Sequence, residues 1–379
     1  MEDVYILGGL RSHIGLKNGI FKNILPEILG AEVLKRLISN YNLIEIDEII
    51  CGNAVGAGGN ITRLMALYAG ISNEVPAYTI DMQCASGSAS IDIGFSKIGS
   101  GQCDLIIAGG FESSSLQPTR AYNKNDIRYN KENPNFSVAQ FSPEEIGEKV
   151  MLQGAERVCE RENIIKKELD FWSLESHKRA KNARNEGILK DIVISVNESF
   201  CDEGIRDKIN QRLLDRMKPL LYEKGKITAG NACLINDGAA FIVLCSKKFI
   251  EKNKIKPQGK IIKTSLIGSN PLYSPICAMM ATDKLLKSLN LKYQDISAFE
   301  FNEAFAVIDV MFERKNPNLI NRYNILGGAL AYGHPYGASG SIIMLHLLKG
   351  LQKVDGEYGV CAIGGAGGIG SSICIKRME

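Results

Sequence analysis

A chain of 379 residues has room for two or three cores at roughly 100 to 200 residues per domain, enough to enclose a buried site. Its 45% hydrophobic and 23% charged residues are ordinary for a globular protein and argue against both disorder and a membrane chain. The 45 basic and 42 acidic side chains leave a formal charge of +3, too small for bulk attraction to nucleic acid, so an anionic ligand has to be met locally.

In chain order, short apolar runs end on glycine: 4–7 before Gly8-Gly9, 105–108 before Gly109-Gly110, and 360–363 before Gly364-Gly365. Such runs read as buried strands, with the glycines as tight turns at strand ends. Helical stretches lie between them at 25–39, 86–98 and 276–289, so strands alternate with helices and a layered α/β architecture is expected. The segment 119–226 differs, holding 21 of the 45 Lys and Arg beside 19 acids. Helices are expected at 150–162 and 168–185, with Phe171, Trp172, Leu174 and Ala180 as apolar contacts. Two accounts of this segment stay open: a solvated insertion with mixed charge, or a lid whose cations meet a phosphorylated ligand.

The start of the chain lacks a basic then apolar leader pattern, and no apolar run reaches 18 residues, so export and membrane insertion are not expected. Ten cysteines without paired spacing read as reduced thiols, and a cytoplasmic location is expected.

Three anchors recur in order. Asn53-Ala54 returns as Asn302-Glu303-Ala304, Ala85-Ser86-Gly87-Ser88 as Ala338-Ser339-Gly340-Ser341, and Gly109-Gly110 as Gly364-Gly365. The shifts are 249 (53 to 302), 253 (85 to 338) and 255 (109 to 364) positions. Near-constant offsets indicate a duplicated α/β half.

Cys84 follows a strand-like run and precedes small residues that open a helix. A thiol there feels the positive end of the helix dipole and has backbone N–H groups nearby, which suits a nucleophile; a buried core cysteine is the plainer account. His334, ahead of Pro335 in a glycine-rich stretch, has to lie on a turn. The repeat makes that turn the counterpart of the one bearing Cys84, so the two side chains are expected to converge, and a Cys-His pair activates a thiol. Asn302-Glu303 is a third polar group expected at the same end. Residues 365–370 fit G-x-G-x-x-G, but only nine residues follow, so the stretch reads as a turn presenting N–H groups. None of the four histidines has a partner at metal-ligand spacing, and no metal is expected.

Taken together, Cys84-Ala85-Ser86-Gly87, Thr228-Ala229-Gly230-Asn231-Ala232, Asn236-Asp237-Gly238-Ala239-Ala240, Asn302-Glu303-Ala304-Phe305-Ala306 and the 327–340 block with Gly333-His334-Pro335 resemble the thiolase superfamily of acyl-CoA condensing enzymes. The resemblance runs along nearly the whole chain. It implies an α/β fold of two duplicated βαβαβαββ halves in a layered αβαβα arrangement with an inserted loop domain: residues 1–118 and 227–255 as the N-terminal half, 119–226 as the coenzyme A-binding loop domain, and 256–379 as the C-terminal half. It also implies a homodimer or homotetramer that takes an acyl-CoA as substrate and uses no separate cofactor.

Carried over by position, Cys84 is acylated on sulfur, His334 activates it and helps bind the thioester oxygen, and Asn302 holds the water that completes that oxyanion hole. The N–H groups of Cys84 and Ala366 form a second oxyanion site, while Met151, Cys233 and Phe305 face the substrate. The resemblance fails at one important place, where the family's second cysteine, the acid and base of carbon–carbon bond formation, aligns with Gly364, and departs more mildly at Cys233, where the family commonly has a serine against the pantetheine arm. Cys361 lies three residues earlier on the strand, hence on its opposite face. The expected activity is therefore that of an acetyl-CoA C-acyltransferase with an altered Claisen step. A non-catalytic acyl-CoA-binding or scaffold paralogue, or an enzyme closer to the ketoacyl synthases, are the alternatives.

Overall fold

The computed structural model describes residues 2–143, 149–199 and 201–378; the first residue of the N-terminal half, small parts of the 119–226 segment and the final residue of the C-terminal half thus lie outside the described residues. The principal elements of the first half are β1 (Val4–Ser12), α1 (Pro26–Tyr41), β2 (Glu48–Gly52), α2 (Ile61–Tyr68), β3 (Ala77–Ile80), α3 (Ser86–Gly99) and β4 (Leu105–Ser113). Two long helices of the insertion follow, α4 (Val150–Arg161) and α5 (Lys166–Asn185), and β5 (Asn236–Ser246) returns to the sheet. The second half runs β6 (Gly259–Gly268), α6 (Cys277–Leu289), β7 (Ala298–Phe301), α7 (Val307–Lys315), α8 (Tyr336–Val354), β8 (Tyr358–Gly365) and β9 (Ile369–Arg377).

The strand order is β7-β8-β9-β6-β1-β5-β4-β2-β3. Each half repeats one plan, β1-β5-β4-β2-β3 against β6-β9-β8-β7, and the halves join where β1 pairs antiparallel with β6 (Val4 opposite Ile261). The third strand of the second half is reduced to one bridge, Tyr323 beside Phe299.

Alternation along the strands builds the layers. In β5, Ala240, Ile242 and Leu244 point to the inner core with α3 and α8, whereas Ala239, Phe241, Val243 and Cys245 point to the outer core with α1. A third core, holding Trp172, Phe299, Phe301, Phe312 and Tyr323, packs the outer face of the second half against α4 and α5. These three cores, the inner one lying on both sides of α3 and α8, hold five layers in the αβαβα stack. Each fully buried Leu or Phe contributes about 1.5–3 kcal/mol of transfer free energy.

Two expectations are corrected. Gly8-Gly9 and Gly109-Gly110 are not terminal turns, because β1 and β4 run straight through them. Their role is close approach: a Cβ on Gly109 would collide with the backbone of Ala240 and Phe241, and one on Gly110 with that of Gly337. Phe171 is 49% exposed and only edges against Trp172, with ring centroids 5.8 Å apart, while Trp172 is buried and its Nε1 donates to Glu313 at 2.7 Å.

Candidate active site

The helix starts of α3 and α8 meet at the centre of the molecule because they carry almost no side chains. A Cβ on Gly87 would sit 2.7 Å from Gly337 O, and one on Gly340 would strike the backbone of Ser88. The two repeat tetrapeptides are thus the contact that brings the two halves' functional turns to one place.

On the first turn, Gln83 adopts a left-handed backbone (φ 53°), a strained conformation for a residue with a Cβ, and this sets Cys84 at the mouth of α3. Ser86 holds the turn: its Oγ donates to Gln83 O at 2.6 Å and accepts from Met82 N at 2.8 Å. Cys84 is half-buried, and its sulfur takes backbone N–H groups from Ala366 and from Cys84 itself. Burial dominates over these donors and pushes the thiol up to about 12, with the charge of Glu112 adding to the rise. Ala366 lies in the β8–β9 hairpin turn, where Gly367 and Gly368 take positive φ (85° and 76°), so the turn expected over 365–370 spans residues 366–368, with Gly365, Ile369 and Gly370 in the flanking strands.

On the second turn, Gly333 (φ 106°) leads into His334, and Pro335 precedes α8. A Cβ on Gly333 would fall on the Asn236 carboxamide, which accepts the His334 N–H at 2.9 Å and donates to Gly15 O at 2.9 Å. His334 is buried, its Nδ1 2.6 Å from Ser339 Oγ and its Nε2 3.3 Å from Asn302 Nδ2. The Ser339 hydroxyl donates to Pro335 O at 3.0 Å. Its single hydrogen is committed there, so Nδ1 is the donor to Ser339, and Nε2 keeps its lone pair facing Asn302. Burial pushes His334 down to about 3, so the imidazole is neutral.

Asn302 leaves β7 with its N–H on Ala362 O at 3.0 Å. Glu303, expected at the same end, instead turns away. Its carboxylate accepts from Ser176 Oγ (2.6 Å), Asn324 Nδ2 (2.8 Å) and Leu330 N (3.2 Å), stapling insertion helix α5 to the approach of the His334 turn. Phe305 is buried, and Met151 and Cys233 are half-buried against the same apolar cluster.

Gly364 and Cys361 fall on opposite faces, Cys361 in the inner core and Gly364 towards α6. A Cβ on Gly364 would lie 3.0 Å from Ser274 O and 3.8 Å from Cys277 Cβ. Cys277 is itself fully buried.

Sequence reasoning passed over Ser339, Asn236, Tyr336 and Glu112. Tyr336 stands edge-on to His334 with ring centroids 5.0 Å apart. Glu112 is buried and ties the turn after β2 to the start of α8, accepting from Ala54 N (2.9 Å), Val55 N (3.2 Å), Asn53 Nδ2 (3.0 Å) and Gly337 N (3.0 Å). Burial outweighs those four donors and pushes its carboxyl up to about 7. Ser339 was visible as part of a repeat anchor; nothing local marked Glu112.

The thiolase N-terminal domain family matches residues 4–248 and the thiolase C-terminal domain family residues 255–377. A Bacillus subtilis (strain 168) relative, YhfS, whose name provisionally gives acetyl-CoA C-acetyltransferase activity, is 35% identical over 98% of this chain and 99% of its own. A Mycobacterium tuberculosis steroid 3-ketoacyl-CoA thiolase is 30% identical over 100% of this chain and 95% of its own. Human mitochondrial 3-ketoacyl-CoA thiolase in complex with CoA superposes with a TM-score of 0.92 at 27% identity, covering 100% of this chain and 98% of that one. With matching family models over both halves and relatives aligned end to end, the chain belongs to the thiolase family.

Proposed function

We propose that the chain is a thiolase-type acyltransferase that transfers the acyl group of an acyl-CoA through a Cys84 acyl-enzyme, with a carbon–carbon bond step altered by the glycine at 364. The observation that carries this reading is the close packing of the two helix starts, Gly87 against Gly337, one bearing the Cys84 thiol and the other following a tautomer-fixed His334 that is bonded to Asn302.

Cys84 gives its proton to His334 Nε2, whose lone pair leaves its 3.3 Å contact with Asn302 Nδ2, as the sulfur attacks the thioester carbon. The thioester oxygen is received by Asn302 and His334, and the N–H groups of Cys84 and Ala366 serve as the second oxyanion site; one such donor is worth about 10²–10³ in rate. The neutral resting pair means that charge develops only in the transition state, where these donors act.

Met151, Cys233 and Phe305 line the acyl and pantetheine path in this reading, and CoA enters as substrate rather than as a resident cofactor. Residues 119–226 form the CoA-binding loop domain between an N-terminal half of 1–118 and 227–255 and a C-terminal half of 256–379. Support for a homo-oligomer comes from sheet-edge strand β3 and neighbouring α2, where Leu64, Leu67 and Tyr68 are 42–49% exposed. Among the described residues no helix is long and apolar enough to cross a membrane, and the reading places the enzyme in the cytoplasm.

The test is steady-state thiolysis of acetoacetyl-CoA by free CoA. Loss of a proton-transfer group costs about 10²–10⁴-fold, so the rate should fall below that of thiolases by a factor of this order. A rate equal to theirs would refute an altered carbon–carbon step.

A further inference from the structure

The thiolase-type reading leaves one chemical need unmet: a group to take a proton from the α-carbon of the second acyl-CoA. The native chain has ten cysteines, all free. Seven are buried, among them Cys361 in the inner core and Cys277 behind Gly364, and the exposed Cys201 lies in the insertion. That leaves Cys84 and Cys233 as the two half-buried thiols.

The backbone places Cys233 between the catalytic turns. Ala232 bridges to Phe305, and Cys233 N donates to Ala304 O at 3.0 Å, which ties the residue to the Asn302 turn. Two residues on, Ile235 bridges to His334. A three-residue span cannot reach more than about 11 Å, so the backbone at Cys233 is tied on one side to the Asn302 turn and stays within that reach of the segment bridged to His334. Its electrostatic surroundings agree: the Cys233 thiol is raised by burial and next by Cys84, and Tyr336, which packs on His334, is raised by burial and then by both sulfurs.

Resting on the Cys84 acyl-enzyme reading, we propose that Cys233 is the acid and base of the altered carbon–carbon bond step, standing in less effectively for the side chain absent at Gly364. In the first half-reaction the Cys84 proton passes to His334 Nε2, the bond from the acyl carbon to the CoA sulfur breaks, and that sulfur takes the proton of Cys233. In the second, the Cys233 thiolate takes the α-proton of the next acyl-CoA. The resulting carbanion bonds to the acyl carbon, the bond to Cys84 breaks, and the Cys84 sulfur recovers the proton from His334. Both thiols and the imidazole end as they began, and two acyl-CoA yield one 3-ketoacyl-CoA and one CoA.

The experiment uses the full chain and its Cys233→Ala, Cys233→Ser and Cys277→Ala variants with acetyl-CoA. Acetyl on Cys84 is read by peptide mass, α-proton exchange of acetyl-CoA in deuterated water by mass, and acetoacetyl-CoA thiolysis by steady-state kinetics. Both Cys233 variants should load acetyl on Cys84, because the CoA sulfur can draw its proton from His334. They should lose exchange and kcat for thiolysis by about 10²-fold or more, and Cys277→Ala should match the native chain. A purely structural contact would move KM and spare the exchange. Acetyl on Cys84 with undiminished exchange in Cys233→Ala overturns this proposal alone, as does a loss confined to Cys277→Ala. No acetyl on Cys84 of the native chain overturns the acyl-enzyme reading and this proposal with it.

Discussion

Ser339 Oγ lies 2.6 Å from Nδ1 of His334, one turn apart at the start of α8. Because the same hydroxyl donates to Pro335 O, it dictates which imidazole nitrogen carries the proton. Ser339→Ala removes that constraint and allows the tautomer with Nε2–H, which cannot accept the Cys84 proton. Acetylation of Cys84 should slow by about 10²-fold, while Ser339→Thr restores it. Equal acetylation rates in the native chain and Ser339→Ala would remove Ser339 from the positioning of His334.

The thiol and imidazole are both neutral at rest, Cys84 held up to about 12 and His334 down to about 3 by burial. Only thiolate reacts with iodoacetamide. Its fraction on Cys84 should climb about tenfold per pH unit, so alkylation of this residue rises steadily from pH 7 to pH 10. A plateau near neutrality would instead reveal a thiolate–imidazolium ion pair.

Glu112 binds its proton more tightly in the folded chain than its ordinary carboxylate value allows. Its stability contribution is therefore fully present below about 4.5 and is lost as the pH rises through about 7. Urea unfolding of the native chain should show this fall between pH 5 and pH 8, and Glu112→Gln should flatten it. The variant also turns an amide N–H₂ towards N–H donors and should cost about 1–3 kcal/mol. Identical pH slopes for the two proteins would contradict a raised Glu112.

Gly364→Cys tests the glycine directly. Its Cβ would lie 3.8 Å from Cys277 Cβ, the mean spacing in disulfides of about 3.8 Å. The variant should form a Cys277 bridge under oxidant and free it under reductant, where thiolysis should exceed the native rate. The 3.0 Å approach to Ser274 O requires a small local shift. Failure to crosslink, together with an unchanged thiolysis rate, would show that position 364 does not open towards the site.

Much of the architecture was legible because it is periodic. The strand-to-helix alternation, the bounds of α4 and α5 to within about two residues, and the duplicated order all follow from local patterns of apolar and small residues. Contacts between distant segments were not legible. The paired glycines of β1 and β4 looked like turn formers because nothing nearby names the backbone they touch. Asn236 meets His334 across 98 positions and Glu112 meets Gly337 across 225. Glu303 carried the signature of a site residue, yet its direction depends on Ser176 of the insertion. Cys84, His334 and Asn302 could be picked out because each sits at a turn that the repeat marks twice.

The central claim is that Cys84 carries the acyl group. Incubating the full chain with acetyl-CoA, quenching in acid and mapping peptides by mass should find one acetyl on the Cys84 peptide, and none on that peptide in Cys84→Ala. Measurable CoA binding with no acetyl on Cys84 at saturating acetyl-CoA would contradict the account and leave a protein that holds acyl-CoA without turning it over.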